Sequence, residues 1–132
     1  MAVFDASIVV ALVVKAPWSE EARRLLAQDT RPIAPAFLMI ELASALWKNT
    51  RRAAVSAERA IDALHKIPSA LDLQPDGPLI ESAMRIAISA NHSVYDSLYL
   101  ALARREGVSL LTADKDLAAV ATRLGIDVGL LN

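Results

Sequence analysis

The stretch MAVFDASIVVALVV, residues 1–14, places a single carboxylate, Asp5, inside an otherwise apolar run. An ionised carboxylate in apolar surroundings is costly unless a partner compensates it. Two explanations are open: Asp5 caps a helix that follows it, or it binds a cation. Residues 2–4 are typical of a short strand that ends at Asp5, whereas residues 6–14 mix strand-favouring and helix-favouring side chains.

Length and composition narrow the class of protein. The 132 residues predict one domain, residues 1–132, that is large enough to bury a core. The absence of cysteine excludes disulfides and thiolate metal sites, and it fits a reducing, cytoplasmic location. The apolar N-terminal run lacks a basic leading segment and is too short to span a membrane, so we interpret it as part of the fold.

The net charge and the apolar content indicate which kinds of partner the chain could bind. The formal net charge is −1, so any binding of nucleic acid must depend on locally concentrated basic residues. Hydrophobic residues make up 55% of the chain, above the roughly 45–50% of typical soluble domains. This surplus indicates either a surface covered by a partner or a second copy, or an alanine-rich helical core.

Short apolar segments alternate with longer helical segments along the whole chain. Strands are predicted at residues 2–4, 32–35, 70–73, 108–111 and 126–128, and helices at 19–28, 36–52, 56–66, 78–90, 93–106 and 114–124. This alternation predicts an α/β fold with a parallel sheet covered on both faces. Ligands of such sheets bind beyond the carboxyl ends of the strands.

Four carboxylates are candidates for a shared site. Asp5 and Asp114 each follow a predicted strand, so both are expected at the same edge of the sheet. Asp96 lies in the first turn of a helix, and the sequence does not decide which edge it faces. Glu41 lies in a helix with apolar residues one turn before it, where a carboxylate is poorly solvated.

Each of these carboxylates also has a purely structural explanation. Asp114 could cap a helix, with Thr112 assisting the turn. Asp96 could form a capping box with Ser93, and Glu41 could be a surface residue. A hard divalent cation, Mg²⁺ or Mn²⁺, explains all four together, because it prefers oxygen ligands and relieves their mutual repulsion. With no cysteine and only two histidines, a zinc site is disfavoured.

Four segments carry a resemblance to a known family. They are FDAS at residues 4–7, IELASAL at 40–46, SVYDSLYLALA at 93–103 and LLTADKDLA at 110–118. In this order they resemble the four acidic motifs of PIN-domain ribonucleases, and the size is similar to the VapC-type toxins of toxin–antitoxin pairs. The resemblance implies a three-layer α/β/α sandwich with a short parallel sheet. It also implies a Mg²⁺- or Mn²⁺-dependent endoribonuclease that hydrolyses RNA phosphodiester bonds.

The resemblance assigns roles to individual residues. The implied catalytic and metal-binding set is Asp5, Glu41, Asp96 and Asp114. Ser7 and Thr112 match hydroxyl positions that orient these ligands. Asp116 is expected either to assist or to be a solvated helix residue. The implied partners are RNA, a cognate antitoxin and a second copy of the chain, which predicts a homodimer with no membrane contact.

Basic and aromatic residues are candidates for contacts with RNA. Lys48 lies seven residues after Glu41, on the same side of the predicted helix. The candidate phosphate contacts are Lys48, Arg51 and Lys115, with Arg52, Arg104 and Arg105 nearby, and the alternative for each is an ordinary surface charge. Possible stacking residues are Trp18, Trp47, Tyr95 and Tyr99, although the position of Trp47 favours the core or an interface. His92 is expected to be a turn residue without a catalytic role.

One alternative function stays open. The acidic residues could instead form a non-catalytic docking module for a basic partner protein. A phosphoacceptor domain of the receiver type is disfavoured, because no second acid adjoins Asp5. An aspartyl phosphatase is disfavoured because the position two residues after Asp5 is Ser7 rather than a second aspartate.

Overall fold

Five short parallel strands form the sheet, in the spatial order β3-β2-β1-β4-β5. The computed structural model describes residues 1–132 and places the strands at β1 (Ala2–Phe4), β2 (Ile33–Pro35), β3 (Asp72–Gln74), β4 (Ser109–Thr112) and β5 (Val128–Leu130). The central strand β1 pairs with both neighbours, so that Val3 lies opposite Ile33 on one side and Leu110 on the other. The predicted parallel sheet is confirmed. Strands β3 and β5 begin two residues later than predicted, because their register is set by pairing with β2 and β4.

Seven helices flank the sheet, as the α/β/α prediction requires. They are α1 (Ala6–Val10), α2 (Ser19–Gln28), α3 (Leu38–Arg51), α4 (Ala57–Ala70), α5 (Ile80–Ala90), α6 (Val94–Glu106) and α7 (Lys115–Arg123). A short 3-10 helix, Gly77–Leu79, precedes α5 at the predicted turn. No helix has the length and apolar content needed to cross a membrane.

Helix α4 is longer than predicted. Ser56 caps its N-terminus by accepting a hydrogen bond from the Arg59 backbone N–H at 3.1 Å. The expected end at residue 66 is wrong, because the helix continues through Pro68. Its buried residues Ala60, Ala63 and Ile67 recur at helical spacing up to the last turn. Burial of this stripe holds the final turn in place, although proline removes one backbone hydrogen bond there.

Helix α6 is the most deeply buried helix and determines where the site forms. All seven residues from Ser97 to Ala103 are buried, so the helix is covered on more than one side. Its N-terminus is capped by Ser93, and it ends at Gly107, which has the left-handed φ of 65° that favours glycine. Because α6 is fixed within the core, the side chains of its first turns have defined positions next to β1.

Candidate active site

Asp5 lies immediately after β1 and is 5% exposed. Its Oδ1 accepts a hydrogen bond from the Ala6 backbone N–H at 2.7 Å. Its Oδ2 accepts hydrogen bonds from the Ser7 and Thr112 hydroxyls, each at 2.7 Å. The helix-cap explanation is therefore correct, because Asp5 is the N-cap of α1. Burial raises the pKa of Asp5 and the charge of Asp96 raises it further, while the three hydrogen bonds lower it.

Two hydroxyl groups connect the acidic ends of β1 and β4. Thr112 Oγ1 accepts a hydrogen bond from the Asp114 backbone N–H at 3.0 Å while donating to Asp5. Ser7 Oγ accepts one from the Ala113 backbone N–H at 2.9 Å and donates to Asp5 as well. Both hydroxyls thus lie beside the acids, as the resemblance to PIN-domain ribonucleases implies. They hold the Asp5 carboxylate in one orientation.

Glu41 lies in the first turn of α3, and its side chain reaches α6. Its Oε1 accepts a hydrogen bond from the Tyr99 hydroxyl at 2.5 Å. Burial raises the pKa of Glu41, and the charges of Asp5 and Asp96 raise it further, while the bond from Tyr99 lowers it. The side chain is half-buried and its carboxylate bonds the buried Tyr99, so Glu41 is not an ordinary surface residue.

Tyr99 is a site residue whose role the sequence did not reveal. Its expected use as a stacking surface is wrong, because Tyr99 is 0% exposed. Burial raises the pKa of Tyr99, and the charges of Glu41, Asp5 and Asp96 raise it further. The available signal was its spacing, because a residue three positions after Asp96 lies on the same side of a helix.

Asp96 lies in the first turn of α6 and contacts a histidine. Its backbone N–H donates to the Ser93 hydroxyl at 3.1 Å, which is one half of the expected capping box. Its carboxylate does not complete the box, because Asp96 Oδ2 instead lies 2.9 Å from His92 Nε2. His92 was expected to be a turn residue without a catalytic role, and the structure adds that it contacts Asp96 directly.

Asp114 is the N-cap of α7. Its Oδ1 accepts hydrogen bonds from the Asp116 and Leu117 backbone N–H groups at 2.9 and 3.2 Å. It is not among the charges that raise the pKa of Asp5 or Glu41, and it joins the cluster through Thr112. Asp116 itself is exposed. The charges of Asp5, Glu41 and Asp96 therefore affect one another, whereas Asp114 is connected to Asp5 through two successive hydrogen bonds that meet at Thr112.

A groove of about 810 Å³ extends from the acidic cluster along α3. Glu41 and Ser7 line it at the acidic end, and Lys48 and Arg52 line it further along the helix. Its aromatic lining consists of Trp18, Phe37 and Tyr95. Lys48 thus lies on the same side of the helix as Glu41, as its spacing predicts.

Two predicted phosphate contacts lie outside this groove. The Arg51 guanidinium stacks on the Trp47 ring at 4.9 Å, and Arg52 lines the groove in its place. The reason is the helical period, since one residue rotates a side chain by about 100° around the axis. Trp47 is 56% exposed and therefore not part of the core. Lys115 lines a separate groove of about 590 Å³ together with Asp114.

Comparison of the sequence with known proteins identifies the family of this chain. The sequence model described as the PIN domain matches residues 2–123. The chain belongs to the PIN-domain family. Ribonuclease VapC3 of Pyrobaculum aerophilum is 33% identical to this PIN domain over 119 residues, which cover 88% of the chain and 91% of VapC3.

Solved structures share the fold. The crystal structure of PAE2754 from Pyrobaculum aerophilum has a TM-score of 0.75 and 25% identity to this PIN domain, and the match covers 96% of the chain and 89% of PAE2754. A toxin–antitoxin complex from Klebsiella pneumoniae has a TM-score of 0.66 at 20% identity, covering 90% of this chain and 91% of the matched chain. The predicted PIN-like fold is therefore confirmed.

The carboxylates of this PIN domain are oxygen donors of the type that hard divalent cations prefer. No three Asp, Glu or His side chains lie close enough together to hold a metal ion as they stand. One oxygen of Glu41 is bonded to Tyr99 and one oxygen of Asp96 to His92, which leaves the second oxygen of each without a protein partner. Because like charges raise the pKa values of Asp5 and Glu41, a cation between these groups would relieve their repulsion. The donor set fits such an ion in chemistry, and binding would require the side chains to close around it.

Proposed function

We propose that this PIN domain is a divalent-metal-dependent endoribonuclease and the toxin of a type II toxin–antitoxin pair. The observation that carries the proposal is the set of hydrogen bonds that connects the acidic motifs: Thr112 bonds both Asp5 and the Asp114 backbone, and Tyr99 of α6 bonds Glu41 of α3. Asp5 lies directly after the carboxyl end of β1, where open parallel sheets bind ligands. The 33% identity to a protein named ribonuclease VapC3 supports RNA as the substrate.

The proposed metal ligands are the four acidic side chains of the motifs, and Mg²⁺ or Mn²⁺ fits their oxygen chemistry. They are Asp5, Glu41, Asp96 and the oxygen of Asp114 that does not cap α7. A bound cation of this kind lowers the pKa of a bound water and neutralises charge that develops on the phosphoryl oxygens.

The residues of the chain itself orient these ligands and position the substrate. Ser7 and Thr112 fix the Asp5 carboxylate through hydrogen bonds to its Oδ2. Tyr99 fixes Glu41 in the same way, and His92 restrains Asp96. The orientation of these groups before substrate arrives lowers the reorganisation that hydrolysis of the phosphodiester bond requires.

The proposed protein partners are a cognate antitoxin and a second copy of the chain. The antitoxin is supported by the relationship to VapC3 and by the structural likeness to a toxin–antitoxin complex. The homodimer is supported by an apolar stripe on α5, where Ile80, Met84 and Ile88 are 54%, 49% and 71% exposed. These residues recur at every fourth position and therefore lie on one side of the helix.

Cleavage of mixed RNA by the purified protein, with Mg²⁺, Mn²⁺ or EDTA, tests the proposed activity. We expect cleavage with either cation and none with EDTA. Asp5→Asn and Asp96→Asn should each lower the cleavage rate by roughly 100-fold or more, because each removes a charge from the metal site. Circular dichroism of both variants checks that the fold is retained. Intact RNA with every cation would overturn the proposal and favour the non-catalytic docking module for a basic protein.

A further inference from the structure

The groove along α3 differs in chemistry between its two ends. At the acidic end, the rings of Phe37 and Tyr95 are stacked with their centroids 5.1 Å apart and an interplanar angle of 13°. Tyr95 is 61% exposed, so one ring of this pair is accessible from solvent. Trp18 lines the same groove, and its indole N–H donates to the Ser7 carbonyl at 3.4 Å. The acidic cluster is therefore flanked by aromatic side chains.

The opposite end of the groove is basic. Lys48 on α3 and Arg52 at its C-cap are seven and eleven residues after Glu41. With a rise of about 1.5 Å per residue, these positions lie roughly 10 Å and 16 Å along the helix axis from Glu41.

A second basic groove of about 650 Å³ lies next to the first. Lys15, Arg23 and Arg59 line it, together with one acid, Glu20. The two grooves are lined by residues that are neighbours in sequence, since Trp18 and Arg52 line the first groove and Pro17 and Ala54 line the second. The two grooves together have five basic side chains: Lys48 and Arg52 in the first, and Lys15, Arg23 and Arg59 in the second. None of these five forms an ion pair. The ion-paired Lys and Arg residues of the chain are Arg24, Arg31, Lys66, Arg85 and Arg105.

From this arrangement we infer that the two grooves form one binding path for single-stranded RNA, which deepens the proposed function and rests on it. An unpaired base next to the cleaved phosphate stacks on Tyr95, and the backbone continues past Arg52 towards Arg59. Aromatic rings beside unpaired cations are the combination by which proteins bind single strands, since rings take exposed bases and cations take phosphates. An RNA duplex lacks the exposed base faces that the aromatic end requires.

Binding of a short, fluorescently labelled oligoribonucleotide to the full chain in EDTA tests the path without cleavage. Affinity is measured by fluorescence anisotropy as a function of KCl concentration. For single strands, the slope of log affinity against log salt changes by about 0.7 for each phosphate contact. We expect Arg52→Ala and Arg59→Ala each to reduce the slope by about 0.7, whereas Tyr95→Ala should lower the affinity about tenfold without changing the slope.

The chain offers matched controls for both kinds of contact. Arg123→Ala removes an exposed basic residue of α7, and Trp47→Phe alters an exposed aromatic residue that lines neither groove. Neither control should change the affinity or the slope. The same sequence as a duplex should bind more weakly than the single strand.

The outcomes separate this inference from the proposed activity. Cleavage of RNA by the wild type with unchanged slopes in Arg52→Ala and Arg59→Ala would overturn the binding path alone. Reduced slopes without cleavage under any cation would support the path and overturn the nuclease. An acidic peptide such as polyglutamate that binds as tightly as RNA, independently of Tyr95, would overturn the path in favour of a protein ligand.

Discussion

At the residue scale, the site consists of carboxylates whose orientation is set by neutral hydrogen-bond donors. Asp5 accepts three hydrogen bonds although it is nearly fully buried. Glu41 is half-buried and has one protein donor, Tyr99. Removal of a donor leaves such a group without compensation for lost hydration. We therefore expect the hydroxyl of Tyr99 to orient Glu41, whereas its buried ring stabilises the core.

We predict that Tyr99→Phe lowers the affinity for Mn²⁺ and the rate of RNA cleavage, each by about tenfold or more, because Glu41 loses its orienting donor. Tyr95→Phe is the matched control, since the chain has two tyrosines and the Tyr95 ring stacks on Phe37 instead. Calorimetric titration measures Mn²⁺ binding, and thermal unfolding measures stability. A loss of stability in Tyr99→Phe without weaker Mn²⁺ binding would mean that Tyr99 serves the fold alone.

At the scale of elements, helix capping and the candidate site use the same side chains. Asp5 caps α1, and Asp114 caps α7. The two explanations, helix cap and metal ligand, do not exclude each other. A carboxylate has two oxygens, and the capping hydrogen bonds of Asp5 and Asp114 each use only Oδ1. The sequence indicated both explanations for Asp114, and the structure confirms the cap while its catalytic role stays a prediction. Helix N-termini also favour negative charge, which places such acids at the sheet edge.

We predict that Asp114→Asn retains stability but loses most of the cleavage activity, because asparagine caps helices about as well as aspartate and lacks the charge. Ser56→Ala is the complementary control at the cap of α4. It should cost about 1 kcal/mol in the free energy of unfolding and leave activity unchanged. Chemical denaturation and cleavage assays measure both quantities. Full activity in Asp114→Asn would restrict Asp114 to its structural role.

At the scale of the whole molecule, apolar surface remains exposed after folding. The stripe of Ile80, Met84 and Ile88 is the part of this surface on α5, where the residues recur at every fourth position. A two-fold symmetric dimer brings the same helix of both copies together and covers such a stripe. The high apolar content noted in the sequence is consistent with this arrangement.

We predict that Met84→Glu converts the proposed dimer to a monomer, because a charge in the centre of the stripe cannot be buried without a partner. Ile61→Glu is the matched control, since Ile61 on α4 is 57% exposed and lies outside the stripe. Size-exclusion chromatography with light scattering at micromolar concentration measures the mass. A monomeric wild type would remove the homodimer proposal, and a dimeric Met84→Glu variant would exclude this stripe as the interface.

The sequence by itself determined the class of fold and the identity of the candidate acids. Periodic apolar spacing, Ser and Asp caps and Gly107 are local signals, and they predicted most helices correctly, including α2 at its observed bounds. The four short motifs around the acids were likewise readable from neighbouring residues. Strand ends were less accurate for β3 and β5, because pairing register depends on residues that are distant in sequence.

Only the tertiary structure decided which side chains meet. The bond from Tyr99 to Glu41 joins residues 58 positions apart, and the bond from Thr112 to Asp5 joins residues 107 positions apart. No local pattern encodes such contacts, since they follow from the packing of α6 and α3 beside the strands. For the same reason the sequence did not separate Arg52, which lines the groove, from Arg51, which stacks on Trp47. Local propensity fixes the elements, whereas burial of the common core fixes their relative positions and with them the site.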